Sequence, residues 1–96
     1  MLKKSYSKTG AACRVTFKLP AEAGADQVIL LGDFNDWEGK EMRKLKDGSF
    51  SASISLPAGD SYRFRYLLDG QTWENDWAAD EYAGNAYGTE DSIVVV

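Results

Sequence analysis

Histidine is absent from this chain of 96 residues, cysteine occurs once, and no apolar run is long enough to cross a bilayer. Each absence closes off a class of function. Without histidine the lone Cys13 has no imidazole to activate it, and without a second cysteine it forms no internal disulfide. Cys13 alternates with Val15, Phe17 and Leu19, which marks it as a buried structural thiol. The opening MLKKSYSKTG is charged but has no apolar signal core behind it, so the expected location is the cytoplasm. Basic charge is scarce too: 11 Lys and Arg face 15 Asp and Glu, a net charge of −4. The averaged field therefore repels phosphate backbones and anionic lipid, which argues against nucleic-acid and membrane partners. The one basic cluster at the N-terminus, Lys3, Lys4 and Lys8, reads as a solvated tail. There is no internal repeat, no low-complexity segment and no sustained helical stripe.

What the chain does hold is enough apolar content for one core: 44% hydrophobic residues, well away from the profile of disorder. Residues 1–10 are expected as a flexible segment and 11–96 as a single domain. From Cys13 to Leu19 apolar residues take every second place, the period of a strand with one wet face. Val28 to Leu31 is a continuous apolar run, expected as a strand buried on both faces. Ser49 to Leu56 alternates again behind the hairpin signal Asp47-Gly48, with Met42 to Lys46 as the expected partner strand. After the turn at Pro57 to Asp60, Tyr62, Phe64, Tyr66 and Leu68 face one way, and Arg63, Arg65 and Leu67 the other. Asn75 to Asp91 has no sustained period and reads as a long loop, and Ser92 to Val96 as a closing strand. Glu38 to Lys46 has room for one helical turn at most, given Gly39. Several short strands separated by turn signals indicate an all-β sandwich.

The segment LLGDFNDWEG, Leu30 to Gly39, sets a large apolar ring, Trp37, among Asp33, Asn35, Asp36 and Glu38. Phe34 is expected to pack beneath this turn, Gly32 to let the chain bend, and Asn35 and Asp36 to shape the turn through their side chains. Taken with YRFRYLLDG (Tyr62 to Gly70), Trp73, and Gly88-Thr89 before the last strand, the chain resembles the family-48 carbohydrate-binding modules. These include the glycogen-binding domain of the AMP-activated protein kinase β subunit and the early-set domains of isoamylases and branching enzymes. The small stand-alone bacterial early-set proteins are the most similar in character.

The resemblance implies an immunoglobulin-like β-sandwich of the early-set type whose exposed tryptophans stack on glucose units of an α-1,4-glucan. Trp37 matches the first platform, Arg65 the basic residue that hydrogen-bonds sugar hydroxyls, and Trp73 the second platform. In this chain Gln71-Thr72 separate Asp69-Gly70 from Trp73, one residue more than in the glycogen-binding kinase domains. A two-residue turn would set Trp73 opposite Tyr66 on the inner face, and a three-residue turn with a bulge would set it opposite Leu67, outside with Arg65. The spacing from Trp73 to Asp76 fits the family pattern and favours the outward arrangement. Where glycogen-binding members carry a ligand asparagine, this chain has Asp91, which when ionised only accepts hydrogen bonds, and Asn85 is the amide nearby that could substitute. Trp77 has no matching role, and its default reading is a loop anchor.

Trp, Arg and Asn together suit a sugar, whose axial C–H face lies on an indole while its hydroxyls seek planar polar partners. Glycoside hydrolysis would need two carboxylates across a cleft; the acids of Asp69 to Asp91 supply groups without a cleft, so no enzyme activity is expected. Counted as an EF-hand from Asp33, the segment fails, with Trp37 at a ligand place and Glu38 where glycine is required. No metal or cofactor is expected. The reading is therefore a non-catalytic binder of glycogen, starch or maltodextrin, with a glucan-metabolising enzyme as a further partner. The alternative is a sandwich without sugar binding that serves as a protein interaction domain for such enzymes, with Trp73 turned into the core and Asp91 repelling ligand.

Overall fold

A computed structural model describes residues 2–96. In chain order the strands are β1 (Leu2–Tyr6), β2 (Ala12–Leu19), β3 (Val28–Gly32), β4 (Lys40–Glu41) and β5 (Arg43–Lys44). They continue with β6 (Phe50–Pro57), β7 (Ser61–Leu68), β8 (Thr72–Glu74), β9 (Glu81–Gly84) and β10 (Glu90–Val95). Two antiparallel sheets result, ordered β1-β2-β6-β5 and β4-β3-β7-β10-β9. Short β8 also pairs with β7, end to end with β10 on the side away from β3. The chain is thus an all-β sandwich of the immunoglobulin-like kind. Among the described residues no helix is long and apolar enough to cross a membrane.

Alternation decides which face of each strand meets the other sheet. Cys13, Val15, Phe17 and Leu19 of β2 are fully buried, as are Phe64 and Tyr66 of β7 and Val28 and Leu30 of β3. Phe17 sits among rings, with Phe64 edge-on at 5.0 Å and Phe34 tilted at 5.3 Å between centroids, geometry that suits the aromatic quadrupole. Phe34 therefore packs under its turn as the sequence implies.

Three expectations are corrected. The first ten residues contain a regular strand: Leu2 to Tyr6 pair with Phe17 to Cys13, and Leu2 packs against the core. Glu38 to Lys46 holds two very short strands and no helical turn; β4 and β5 go to different sheets, so this segment crosses the sandwich. The stretch expected as one long loop contains β9, which pairs with β10 through Glu90 to Gly84 and Ile93 to Glu81. Its polar composition hid a strand at the sheet edge, where only one neighbour and half a core face are on offer.

The connection between β8 and β9 is held by a buried polar network. Asp76, only 1% exposed, accepts the Tyr66 hydroxyl proton at 2.7 Å and the Ala78 N–H at 2.8 Å. The Asp76 N–H donates to Ser92 Oγ at 2.9 Å, and that hydroxyl donates to Asn75 Oδ1 at 2.8 Å. Burial above all, then the Asp76 charge and the hydrogen bond to it, pushes the Tyr66 phenol far above the usual tyrosine range. Below the unfolded value of about 10 this group's contribution is complete, and above it the unfolded chain alone releases the proton, so stability falls. In a spectrophotometric alkaline titration Tyr66 should ionise only as the protein unfolds; its ionisation before the fold is lost would refute this.

Candidate functional site

The outer face of β7 carries Arg63, Arg65 and Leu67, because Tyr62, Phe64, Tyr66 and Leu68 take the core side. Two tryptophans, each held in place by a different local device, flank this face.

The first device is the turn after β3. Gly32 has an extended backbone, and a Cβ there would lie 2.6 Å from the Arg63 carbonyl oxygen and 2.7 Å from the Phe34 ring. Glycine is thus required by close approach and not by a bend, which corrects the sequence-based expectation. Asn35 clamps the turn, accepting from the Gly32 N–H at 3.1 Å and donating to the Leu30 carbonyl at 3.1 Å. Asp36 and Trp37 then both adopt left-handed conformations, with φ of 55° and 58°. Each such non-glycine residue costs on the order of 1–3 kcal/mol, a concentration of strain typical of sites that present a side chain. Asp33 holds the result: Oδ1 accepts from the Trp37 indole Nε1 at 3.0 Å and Oδ2 from the Arg63 backbone N–H at 2.9 Å. The indole is thereby tied to β7.

The second device is the turn Asp69 to Gln71. Asp69 and Gly70 are left-handed, and the Gln71 N–H donates to the Leu68 carbonyl at 3.0 Å. Asp69 Oδ1 accepts from the backbone N–H groups of Asp26 and Gln27, fastening the turn to the loop before β3. Leu68 then pairs with Thr72 and Leu67 with Trp73, so the turn holds three residues and the extra one is absorbed there. Trp73 accordingly lies outside, 45% exposed. The Arg65 guanidinium carbon sits 5.2 Å from the centre of the Trp73 ring, a cation–π contact. Among the described residues the Arg65 Nε is buried without a hydrogen-bond partner.

The β9–β10 hairpin supplies the third wall. Asn85 Oδ1 accepts from the N–H groups of Tyr87 and Thr89, and its Nδ2 donates to Thr89 Oγ1 at 2.9 Å and Asp91 Oδ1 at 3.1 Å. Arg63 Nη1 donates to Asp91 Oδ2 at 3.2 Å and to the Gly84 carbonyl at 3.1 Å. Asp91 is therefore buried and paired, and the Asn85 amide shapes the hairpin. Together Asp33, Trp37, Arg63, Arg65, Trp73, Asn85, Tyr87, Thr89 and Asp91 line one open groove of about 910 Å³. Two cations and two carboxylates balance in it. Among the described residues no cluster of three or more His, Cys, Asp or Glu is placed to hold a metal ion.

All five residues singled out from the sequence, Trp37, Arg65, Trp73, Asn85 and Asp91, line this groove. The sequence reading left out Asp33, Arg63, Tyr87 and Thr89. Arg63 carried a usable signal, since it shares the outward face of β7 with Arg65 two residues away. Tyr87, 90% exposed, had none beyond its place just before Gly88-Thr89. Trp77 is 51% exposed and lies outside the groove lining.

The family of the glycogen recognition site of AMP-activated protein kinase matches residues 14–95, which contain the whole groove. The chain belongs to this family. Like the other members of the glycogen-recognition family it is a carbohydrate-binding module by type. It is also 33% identical over 88 residues to the signal transduction protein MDG1 of Saccharomyces cerevisiae, in strain YJM789 and in strain ATCC 204508 / S288c alike. These matches cover 82% of this chain and 23% of MDG1, so the chain spans about a quarter of the length of those relatives.

Proposed function

We propose that this glycogen-recognition module is non-catalytic and binds α-1,4-glucans in the groove over β7, with Trp37 and Trp73 as stacking platforms and Arg65 as the hydrogen-bonding partner. The observation that carries this reading is the convergence of two tryptophans, fixed by independent turns, on either side of one arginine. Balanced charge in the groove favours a neutral ligand over an anionic one. Arg63, Asn85 and Asp91 serve by holding the hairpin, and Tyr87 adds a third ring at the rim. The non-catalytic reading rests on how the groove's carboxylates are engaged: both oxygens of Asp33 and both of Asp91 accept hydrogen bonds from the protein. A reducing compartment such as the cytoplasm suits the buried single thiol. The outward Trp73 lacks the inward ring expected of a sandwich that had given up sugar binding.

An open groove excludes little water and association costs translational freedom, so a free energy on the order of −4 to −7 kcal/mol is expected, high micromolar to millimolar affinity. The test is an amide- and indole-resolved NMR titration with maltoheptaose and β-cyclodextrin. Movement of the Trp37 and Trp73 indole signals and of β7 amides, with Trp77 unmoved, is the expected outcome. Indole signals that stay fixed at millimolar sugar would rule the proposal out.

A further inference from the structure

The four strands β1, β2, β6 and β5 contain no aspartate or glutamate, although the chain has more acids than bases. They do contain six cations: Lys3, Lys4, Arg14, Lys18, Arg43 and Lys44. Register arranges four of these on the outer face of the sheet. Ser5, Arg14 and Ser55 form one row, Lys3, Thr16 and Ser53 the next, and Lys18, Ser51 and Arg43 the third. Every position in this grid is a cation or a hydroxyl, because the alternate residues Cys13, Val15, Phe17, Ala52 and Leu56 are the ones committed to the core. Thr16 and Ser53 share a hydroxyl hydrogen bond of 2.9 Å across strands, and among the described residues neither Arg14 nor Arg43 makes an ion pair. Lys40 reaches over to the Ser53 carbonyl at 3.4 Å, and a shallow depression there has Arg14, Lys40 and Arg43 in its lining beside apolar Leu45 and Ala52 and a single carboxylate, Glu41.

We infer that this face docks a short acidic segment of a partner protein. Three strand spacings and the rise from residue 14 to 18 give a patch of about 14 by 14 Å, the reach of an extended peptide of roughly four residues. Arg14 and Arg43 offer planar forks that match carboxylates, and the hydroxyls can donate to the remaining lone pairs. A nucleic acid fits less well. Its charge continues past so small a patch into a chain that is acidic elsewhere, and the grid has no ring on which a base could stack. The surface lies on the sheet opposite the groove, so the inference is independent of the glucan reading.

The test is an NMR titration of the whole chain with an acetylated hexaglutamate peptide at low and high salt, beside a single-stranded oligonucleotide of equal charge. Amide shifts confined to β1, β2, β6 and β5, suppressed by salt, are expected with the peptide. The exposed double substitution Arg14→Glu and Lys18→Glu should weaken the response by roughly tenfold or more while the maltoheptaose response of the indoles is unchanged. Should that variant misfold, Arg43→Glu alone should still weaken it. Shifts scattered over all lysines, no shift at millimolar peptide, or tighter binding of the oligonucleotide would each overturn the inference.

Discussion

Replacing Trp37 by alanine is expected to weaken maltoheptaose binding by about 2 kcal/mol, roughly thirtyfold, which takes a weak site beyond detection. The loss is twofold in origin. The stacking face disappears, and Asp33 loses the indole N–H that holds the platform against β7. Because Trp37 is half-buried on a turn and lies outside the core cluster, its removal does not cost the fold what a core aromatic would. Trp37→Gly should unfold no more readily than Trp37→Ala, since glycine adopts a left-handed backbone without penalty. Trp37→Phe keeps a ring without the Nε1 donor and should fall between wild type and alanine. If calorimetry found Trp37→Ala binding like wild type, the groove would not be the glucan site.

Asp76→Ala should be the most destabilising single change outside the apolar core, by about 2–4 kcal/mol in chemical denaturation. Among the donors this carboxylate satisfies, in a place water does not reach, are the Tyr66 hydroxyl and the Ala78 N–H. Removing it leaves both unmet, and against a total of about 5–15 kcal/mol that is a large share. Asp76→Asn retains an acceptor for Ala78 and lets the amide donate to the Tyr66 oxygen, so its cost should be well under half as much. Equal losses for the two variants would show that charge, and not hydrogen-bond satisfaction, holds this connection.

These two residues also mark what was legible from sequence. Trp37 stood out because a large ring among turn formers breaks the usual pattern; counting across the turn left two arrangements for Trp73, the spacing from Trp73 to Asp76 favoured the outward one, and Leu67 does pair with Trp73. The period-two strands β2, β6 and β7 were readable because each has one face in the core. Strand β9 and the leading strand β1 were not, since edge strands owe their form to a partner distant in sequence and need little apolar pattern of their own. Asp76 looked like one more acid in a polar stretch; only the fold brings Tyr66, ten residues away, over it. Asp33 escaped for a similar reason, its second oxygen being claimed by a backbone N–H on another strand.

The acid-free strands of one sheet change what the net charge of −4 means. Charges in salt water are felt over about 8 Å, whereas even the shortest axis of this molecule extends 22 Å. An approaching body therefore never meets the sum; it meets whichever side is nearer. The chain is better described as a thin plate with one cationic side, which an acidic segment arriving there would feel before it felt the acids elsewhere. Held on that side, such a segment would leave the groove on the other sheet uncovered.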